Sequence, residues 1–164
     1  MHSIAIFGIT GRMGQSLLRA LPEWPTCRLS GAIASAHSPR QGQDAATEGA
    51  PTGVLVTADP GLGIRGASVA LDFSIGSAVT AHAEACAAAA VPILIGVTGF
   101  DAASRAALER AARTIPVLIA PNTSVGVSMM AQLVSIAAAG SRPRVAPPLS
   151  HFWERDGERM VEFE

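Results

Sequence analysis

The chain contains no lysine and no tyrosine, and only two cysteines in 164 residues. All 12 of its cationic residues are arginine, so every cationic role falls to a guanidinium. Two cysteines, Cys27 and Cys86, are too few for a disulfide framework. Both fall in segments that read as buried, and a reduced, cytoplasmic setting is expected. No apolar run reaches the length of a membrane span. The N-terminus has no basic region followed by a long apolar stretch, so neither a membrane partner nor a secretory signal is expected. Charge is scarce as well, at 15% of residues, with a formal net charge of −1. Without a basic run there is no footprint for nucleic acid. Hydrophobic residues make up 49%. That composition belongs to an alanine-rich globular domain with a real core and excludes a disordered chain.

The most informative stretch is Gly8-Ile9-Thr10-Gly11-Arg12-Met13-Gly14. It follows the apolar run Ile4-Ala5-Ile6-Phe7 and precedes Gln15 to Leu21, which reads as a helix. Strand, glycine turn and helix in that order form a phosphate-binding context. Gly8 allows the tight turn, Gly11 lets a pyrophosphate approach the backbone, and Gly14 lets the helix pack on the strand. The helix start offers unpaired N–H groups and a positive dipole end. The spacing is G-x-x-G-x-x-G rather than G-x-G-x-x-G, and the competing reading is a plain strand-helix turn without a ligand.

Further strands are expected at Cys27–Ala34, Val54–Val56, Ala67–Phe73, Pro92–Gly96 and Pro116–Ala120. Helices are expected near Pro60–Arg65, over Gly76–Ala90 with Ser74 or Ser77 as N-cap, over Asp101–Arg113 capped by Asp101, and over Ser124–Ala139. Pro22 to Pro25 is a break, and residues 35–53 are a long polar loop. Short apolar strands alternating with helices predict an α/β fold. The natural solution is a doubly wound, Rossmann-like parallel sheet with ligands at the carboxyl ends of its strands. This domain is expected to occupy residues 1–141. Residues 142–164 change character, holding 9 of the 25 charged residues. They read as a linker and a short β-hairpin turning at Asp156-Gly157 through a type I′ turn.

The expected strand ends gather polar and glycine residues around one crevice. They supply the glycine turn, Ser35, Phe73 with Ser74, Gly96-Val97-Thr98-Gly99, and Pro121-Asn122-Thr123-Ser124-Val125. This is the lining of a dinucleotide site. Its cofactor-binding candidates are Gly8, Thr10, Gly11, Arg12, Met13, Gly14, Ser35, Arg40, Phe73, Ser74, Gly96, Thr98, Gly99, Pro121, Asn122, Thr123 and Val125. At the end of the second strand stands Ser35 rather than a carboxylate, with His37 and Arg40 following. No acidic group competes with a 2′-phosphate there and a guanidinium can pair with one, which favours NADPH over NADH. The alternative is that Arg40 is an unpaired loop residue. His82 and Cys86 stand one helical turn apart but lack further ligands, so a packed helix face is expected rather than a metal site. Met129 and Met130 read as core. Ser16 and Ser124 have no partnered base and suggest no nucleophile.

Four of these stretches resemble, in order and spacing, the cofactor-domain signatures of the 4-hydroxy-tetrahydrodipicolinate reductase (dihydrodipicolinate reductase) family. They are Gly8–Gly14, Asp72-Phe73-Ser74, Gly96–Asp101 and Asn122–Val127. The resemblance covers residues 1 to about 140, in the strand-helix order of a dinucleotide-binding domain. It implies an NADH- or NADPH-dependent oxidoreductase of lysine and diaminopimelate biosynthesis that reduces a cyclic imine-type dicarboxylate. It places the pyrophosphate at Gly8–Gly14, the nicotinamide near Phe73, Gly96 and Thr98, and the closure of the site at Asn122–Val125. The family continues into a histidine pair, a lysine and a Pro-Ser-Gly-Thr loop, which hold the substrate and supply its proton. None of these occurs here. The Gly157-Glu158-Arg159 triplet resembles a late strand pair of the family's second domain. The expectation is therefore a cofactor domain joined to a remnant of the substrate domain, with no catalytic residue of its own assigned. The expected partners are a nicotinamide cofactor, a small dicarboxylate if the chain is active, and a second copy. The competing readings are a non-catalytic NADPH-binding module, kept as a sensor or interaction protein, and a scaffold with a vacant crevice.

Overall fold

Ser3 to Phe7 are all buried, and Ala5, Ile6 and Phe7 are completely so. A run buried on both faces has to lie in the middle of a sheet. In a computed structural model of the chain, β1 (His2–Phe7) takes that place. The structure describes residues 1–120 and Val134, together with the backbone of the strands Ser150–Arg155 and Glu158–Phe163. The chain divides into two compact units, Met1–Leu118 and Ile119–Glu164.

The sheet is built from β1, β2 (Cys27–Ile33), β3 (Val56–Thr57), β4 (Val69–Asp72), β5 (Ile93–Ile95) and β6 (Val117–Ile119). Their order is β3-β2-β1-β4-β5-β6, all parallel, which is the doubly wound Rossmann-like arrangement the sequence predicts. The order reverses beside β1, and in sheets of this kind the ligand crevice lies at that point, outside the carboxyl ends of the strands. Helix α1 (Arg12–Ala20) follows β1, the single turn α2 (Pro60–Gly63) precedes β4, and α3 (Val79–Ala88) and α4 (Ala102–Ala111) follow β4 and β5. Ile4, Ile6, Ile9, Ala32, Ala34, Ala45 and Val56 form one core cluster, with Leu17, Leu18 and Leu21 of the α1 region packed on it.

Several expectations about element ends are corrected. α1 starts at Arg12 rather than Gln15, with Gly11 as N-cap. Neither Ser74 nor Ser77 caps the helix after β4. That segment opens with a 3₁₀ turn, Gly76–Ala78, whose N-cap is Ile75 with no side-chain bond, and the Ser74 hydroxyl is taken by Asp72 instead. The third strand is Val56–Thr57 rather than Val54–Val56. Val54 turns away to accept a hydrogen bond from the N–H of Ala45, and Leu55 bridges Asp44. Asp101 caps α4 as expected, its carboxylate accepting the N–H of Ser104 at 2.8 Å. Cys86 is buried and Cys27 only half so.

No helix links β2 to β3. The loop 34–55 is organised around the Asp44 carboxylate instead. Oδ1 accepts the N–H of Ala46 (2.8 Å) and the N–H and hydroxyl of Thr52 (both 3.0 Å), and Oδ2 accepts the N–H of Gly53 (2.8 Å). These donors, Thr52's N–H first and Ala46's second, hold the carboxyl down at about 2 against a smaller opposing effect of burial.

In the C-terminal unit, β7 (Ser150–Arg155) and β8 (Glu158–Phe163) form an antiparallel hairpin with Arg155 opposite Glu158. The expected turn at Asp156-Gly157, the linker 142–148 and Met129-Met130 lie outside the described residues. So does the expected helix over 124–139, apart from Val134, which is helical.

Candidate functional site

The turn after β1 is fastened to the end of β2. The N–H groups of Gly8 and Ile9 both donate to the Ile33 carbonyl, at 2.9 and 3.1 Å, and the N–H of Gly11 donates back to Gly8. Gly8 has φ +77°, and a Cβ there would stand 2.6 Å from the Phe73 carbonyl oxygen. Only glycine combines that backbone with that approach. A Cβ on Gly14 would overlap the Gly8 carbonyl and lie 2.6 Å from Ile9 Cα, so Gly14 sets how closely α1 meets the turn. Gly11 differs from both. Its backbone is extended, with φ −80° and ψ 169°, and an added Cβ would meet only the Gly8 oxygen, at 3.2 Å.

Thr10, Gly11, Arg12 and Met13 are exposed, so the first turn of α1 opens to solvent. It has no side-chain cap and no acidic residue. A helix start with an exposed glycine N-cap, an adjacent guanidinium and no competing carboxylate fits a pyrophosphate.

The second wall is the segment after β4. The N–H of Phe73 donates to the Phe7 carbonyl (3.1 Å), and the N–H of Gly96 donates to the Asp72 carbonyl (2.8 Å). The Phe73 ring lies directly on Gly96, where a Cβ would overlap it. An aromatic face is thereby held at the carboxyl ends of β4 and β5. Thr98 and Gly99 are exposed just beyond it, and Gly76 packs so closely on the Gly99 carbonyl that a Cβ would come within 2.9 Å.

Beneath Phe73 is a polar cluster that the sequence reading passed over. The Asp72 carboxylate is wholly buried. Oδ1 accepts the N–H and hydroxyl of Ser74 at 2.9 and 2.6 Å, and Oδ2 lies 2.7 Å from His82 Nδ1. The His82 ring stacks on Phe7 with centroids 4.0 Å apart. Cys86, one turn further along α3, is pushed up to about 12 by burial and, second, by the negative charge of Asp72, so it stays a thiol. The His82-Cys86 face is therefore packed, and His82 has a carboxylate partner. A signal for that partner was present, since a carboxylate in the apolar run 67–73 and a histidine in an alanine-rich helix each need one.

At the end of β2, Ser35 is exposed and its hydroxyl accepts the N–H of His37 (3.3 Å). Arg40 is half-buried and folds along its own loop, Nη2 donating to the carbonyls of Asp44 (2.5 Å) and Ala46 (2.8 Å). It is thus neither an unpaired loop residue nor wholly free for a ligand. Gly8, Thr10, Gly11, Arg12, Met13 and Gly14 share one turn, with Phe73, Ser74, Gly96, Thr98 and Gly99 beyond the strand-order reversal. Pro121, Asn122, Thr123 and Val125 lie outside the described residues. Gln15, which the sequence reading passed over, is buried between the turn and the loop. Among the described residues no group of three or more His, Cys, Asp or Glu could hold a metal ion, and no helix is long and apolar enough to cross a membrane.

Residues 2–123 match the family model for dihydrodipicolinate reductase, N-terminus. The chain is 44% identical over 136 residues to the 4-hydroxy-tetrahydrodipicolinate reductase of Thiobacillus denitrificans, covering 82% of this chain and 51% of that protein. It is 42% identical over 140 residues to that of Anaeromyxobacter dehalogenans, covering 84% and 52%. The chain spans about half the length of the curated relatives it matches. Among solved structures, the dipicolinate-bound dihydrodipicolinate reductase from Paenisporosarcina sp. TG-14 aligns with a TM-score of 0.67 at 21% identity, covering 96% of this chain and 71% of that one. At that identity the likeness speaks for the fold.

Proposed function

The chain belongs to the dihydrodipicolinate reductase family, an oxidoreductase family whose N-terminal domain it carries, and from that premise we propose that it binds reduced nicotinamide cofactor in the crevice beside β1. The observation that carries this reading is the uncapped, acid-free start of α1 at an exposed glycine N-cap. The N–H groups of the first turn of α1 and the Arg12 guanidinium would meet the pyrophosphate. Phe73, seated on Gly96, with Thr98 beyond it, would line the nicotinamide end. Pro121, Asn122, Thr123 and Val125 would close the site, as the family resemblance implies. When bound, the cofactor supplies a hydride. What this chain supplies is the geometry that holds it.

NADPH is the favoured form. β2 ends without a carboxylate, and the loop that follows carries His37 and Arg40. Asp44, the first acid after β2, is occupied by its own loop donors. Arg40 would act from where it lies against the Asp44 and Ala46 carbonyls, through the charge it brings to this loop.

As a 164-residue chain it would bind cofactor but turn over the family's cyclic imine dicarboxylate poorly. Positioning the acceptor is worth roughly 7–11 kcal/mol of a barrier, and general acid catalysis about 10²–10⁴-fold. A dicarboxylate calls for cationic or N–H groups fixed over the crevice, and a product nitrogen calls for a proton donor. The sequence has no lysine and no histidine pair to provide them. Arg142, Arg144, Arg155, Arg159 and His151 are the remaining candidates in the tail. The test is fluorescence titration of the pure chain with NADPH and NADH, followed by a coupled turnover assay. Absence of binding by either cofactor overturns the reading. Turnover within about tenfold of a two-domain family member would show that the tail rebuilds the substrate site, against the expected general-acid loss.

A further inference from the structure

Gln15 is 8% exposed, and all four hydrogen-bonding positions of its side-chain amide are used. Nε2 donates to the carbonyls of Ile9 and Ala45, both at 2.9 Å. Oε1 accepts the hydroxyl of Thr47 at 2.7 Å and its N–H at 3.3 Å. An amide offers two donors and two acceptor lone pairs, so nothing is left over. One of these bonds goes to the glycine turn. The other three go to the loop after β2, 30 and 32 residues away in the chain.

The same loop segment is gripped from its other edge. Arg40 Nη2 takes the carbonyls of Asp44 and Ala46, while Gln15 takes the carbonyl of Ala45 and the N–H of Thr47. The two side chains thus hold 44–47 between them. The start of the loop is fixed as well, because Gln41 Nε2 donates to the Ser35 carbonyl at 2.8 Å. The Asp44 carboxylate and backbone bonds to Val54 and Val56 shape the loop itself, and among the bonds described Gln15 is what ties it to the glycine turn.

We propose that Gln15 is a positioning residue for the adenosine half of the cofactor. It fixes the distance between the turn that would meet the pyrophosphate and the loop that would meet the adenosine ribose. A ligand that touches both at once is sensitive to that distance. This inference rests on the cofactor reading above.

The test uses the full chain and two variants, Gln15→Met and Thr47→Ala. Methionine keeps the length and burial of the side chain and removes every hydrogen bond. Thr47 is exposed, so Thr47→Ala removes one bond to Oε1 without disturbing α1 or the core. Each protein is titrated with the tighter of NADPH and NADH, and with the matching adenosine half, 2′,5′-ADP or ADP, at a temperature where its melting curve shows it folded. Gln15→Met is expected to weaken cofactor and adenosine half by the same factor, about tenfold, as for loss of a buried hydrogen-bonded link. Thr47→Ala should move both in the same direction by less, and it carries the test alone if Gln15→Met does not fold. Unchanged affinity for the adenosine half in a folded variant with a lowered melting temperature overturns the inference and leaves Gln15 a purely structural residue. A loss confined to the whole cofactor overturns it too, since the effect would then lie at the nicotinamide end. If the parent chain binds none of these ligands, the cofactor reading itself fails and takes the inference with it.

Discussion

Nδ1 of His82 lies 2.7 Å from Oδ2 of Asp72, and the carboxylate is entirely shielded from solvent. The two residues come from β4 and α3, ten positions apart, and the pair holds the start of α3 against the strand whose next residue is Phe73. A buried carboxylate is stable only while its partners remain.

His82→Leu should therefore cost about 3–5 kcal/mol, because Asp72 would keep only Ser74 as a partner. Asp72→Leu should cost less, about 1–3 kcal/mol, since it strands a histidine and a hydroxyl rather than a carboxylate. The double variant should be more stable than the two single effects summed. Urea denaturation of all four proteins checks this, and simple additivity would show that the pair is not coupled.

The glycines of the first turn should separate folding from binding. Gly11 has a backbone any residue can adopt, so Gly11→Val should melt close to the parent and lose cofactor binding through the side chain it places at the pyrophosphate. Gly8→Ala should be destabilised by about 1–3 kcal/mol, from its φ of +77° and the approach of Phe73. Thermal melts paired with NADPH titrations distinguish the two. Parental affinity in Gly11→Val would mean that the pyrophosphate site is elsewhere.

Preference for NADPH over NADH should shrink in Arg40→Ala and in high salt. A partly exposed guanidinium acting on a phosphate is screened over about 10 Å at 0.1 M salt. Dissociation constants for both cofactors, measured at low and high salt in parent and variant, decide the matter. Equal affinities in low salt for the parent remove the idea.

Acid should loosen the loop after β2. The Asp44 carboxyl lies at about 2, below its ordinary 3.8, held there by the N–H groups of Thr52 and Ala46. A carboxyl lowered on folding adds stability above its unfolded value and loses it as pH falls through the folded one. Asp101 is lowered as well, by the N–H of Ser104, and contributes with the same sign. The urea midpoint should therefore fall between pH 3.8 and about 2, and Asp44→Asn should flatten that slope while lowering stability at neutral pH. A slope of unchanged steepness in the variant would assign the acid sensitivity to other groups.

The positions of the strands were legible because buried parallel strands are continuous apolar runs. Ile4–Phe7 and residues 67–73 declare themselves in that way, and the glycine turn fixes where the sheet must open. Element ends were less legible. Ser74 looks like a cap in sequence, but a buried carboxylate two residues earlier competes for the same hydroxyl and wins. Val54 looks like strand, but the folded loop takes its carbonyl first. Gln15 was invisible because three of its four bonds go to residues 30 and 32 positions distant and nothing in Arg-Met-Gly-Gln marks them. Arg40 was found for its charge, while the carbonyls it holds could be seen only once the loop had closed.

Among the described residues the sheet ends on one side in a strand of two residues, Val56–Thr57, and on the other in one of three, Val117–Ile119. Exposed strand edges are where chains recruit one another into aggregates, and their hazard grows with length. In a sequence that is nearly half hydrophobic and carries so few charges to keep copies apart, the brevity of both borders leaves an incoming strand almost no backbone to zip against. The longest strands, β1 and β2, are kept to the interior of the sheet, where their hydrogen bonds are already spent.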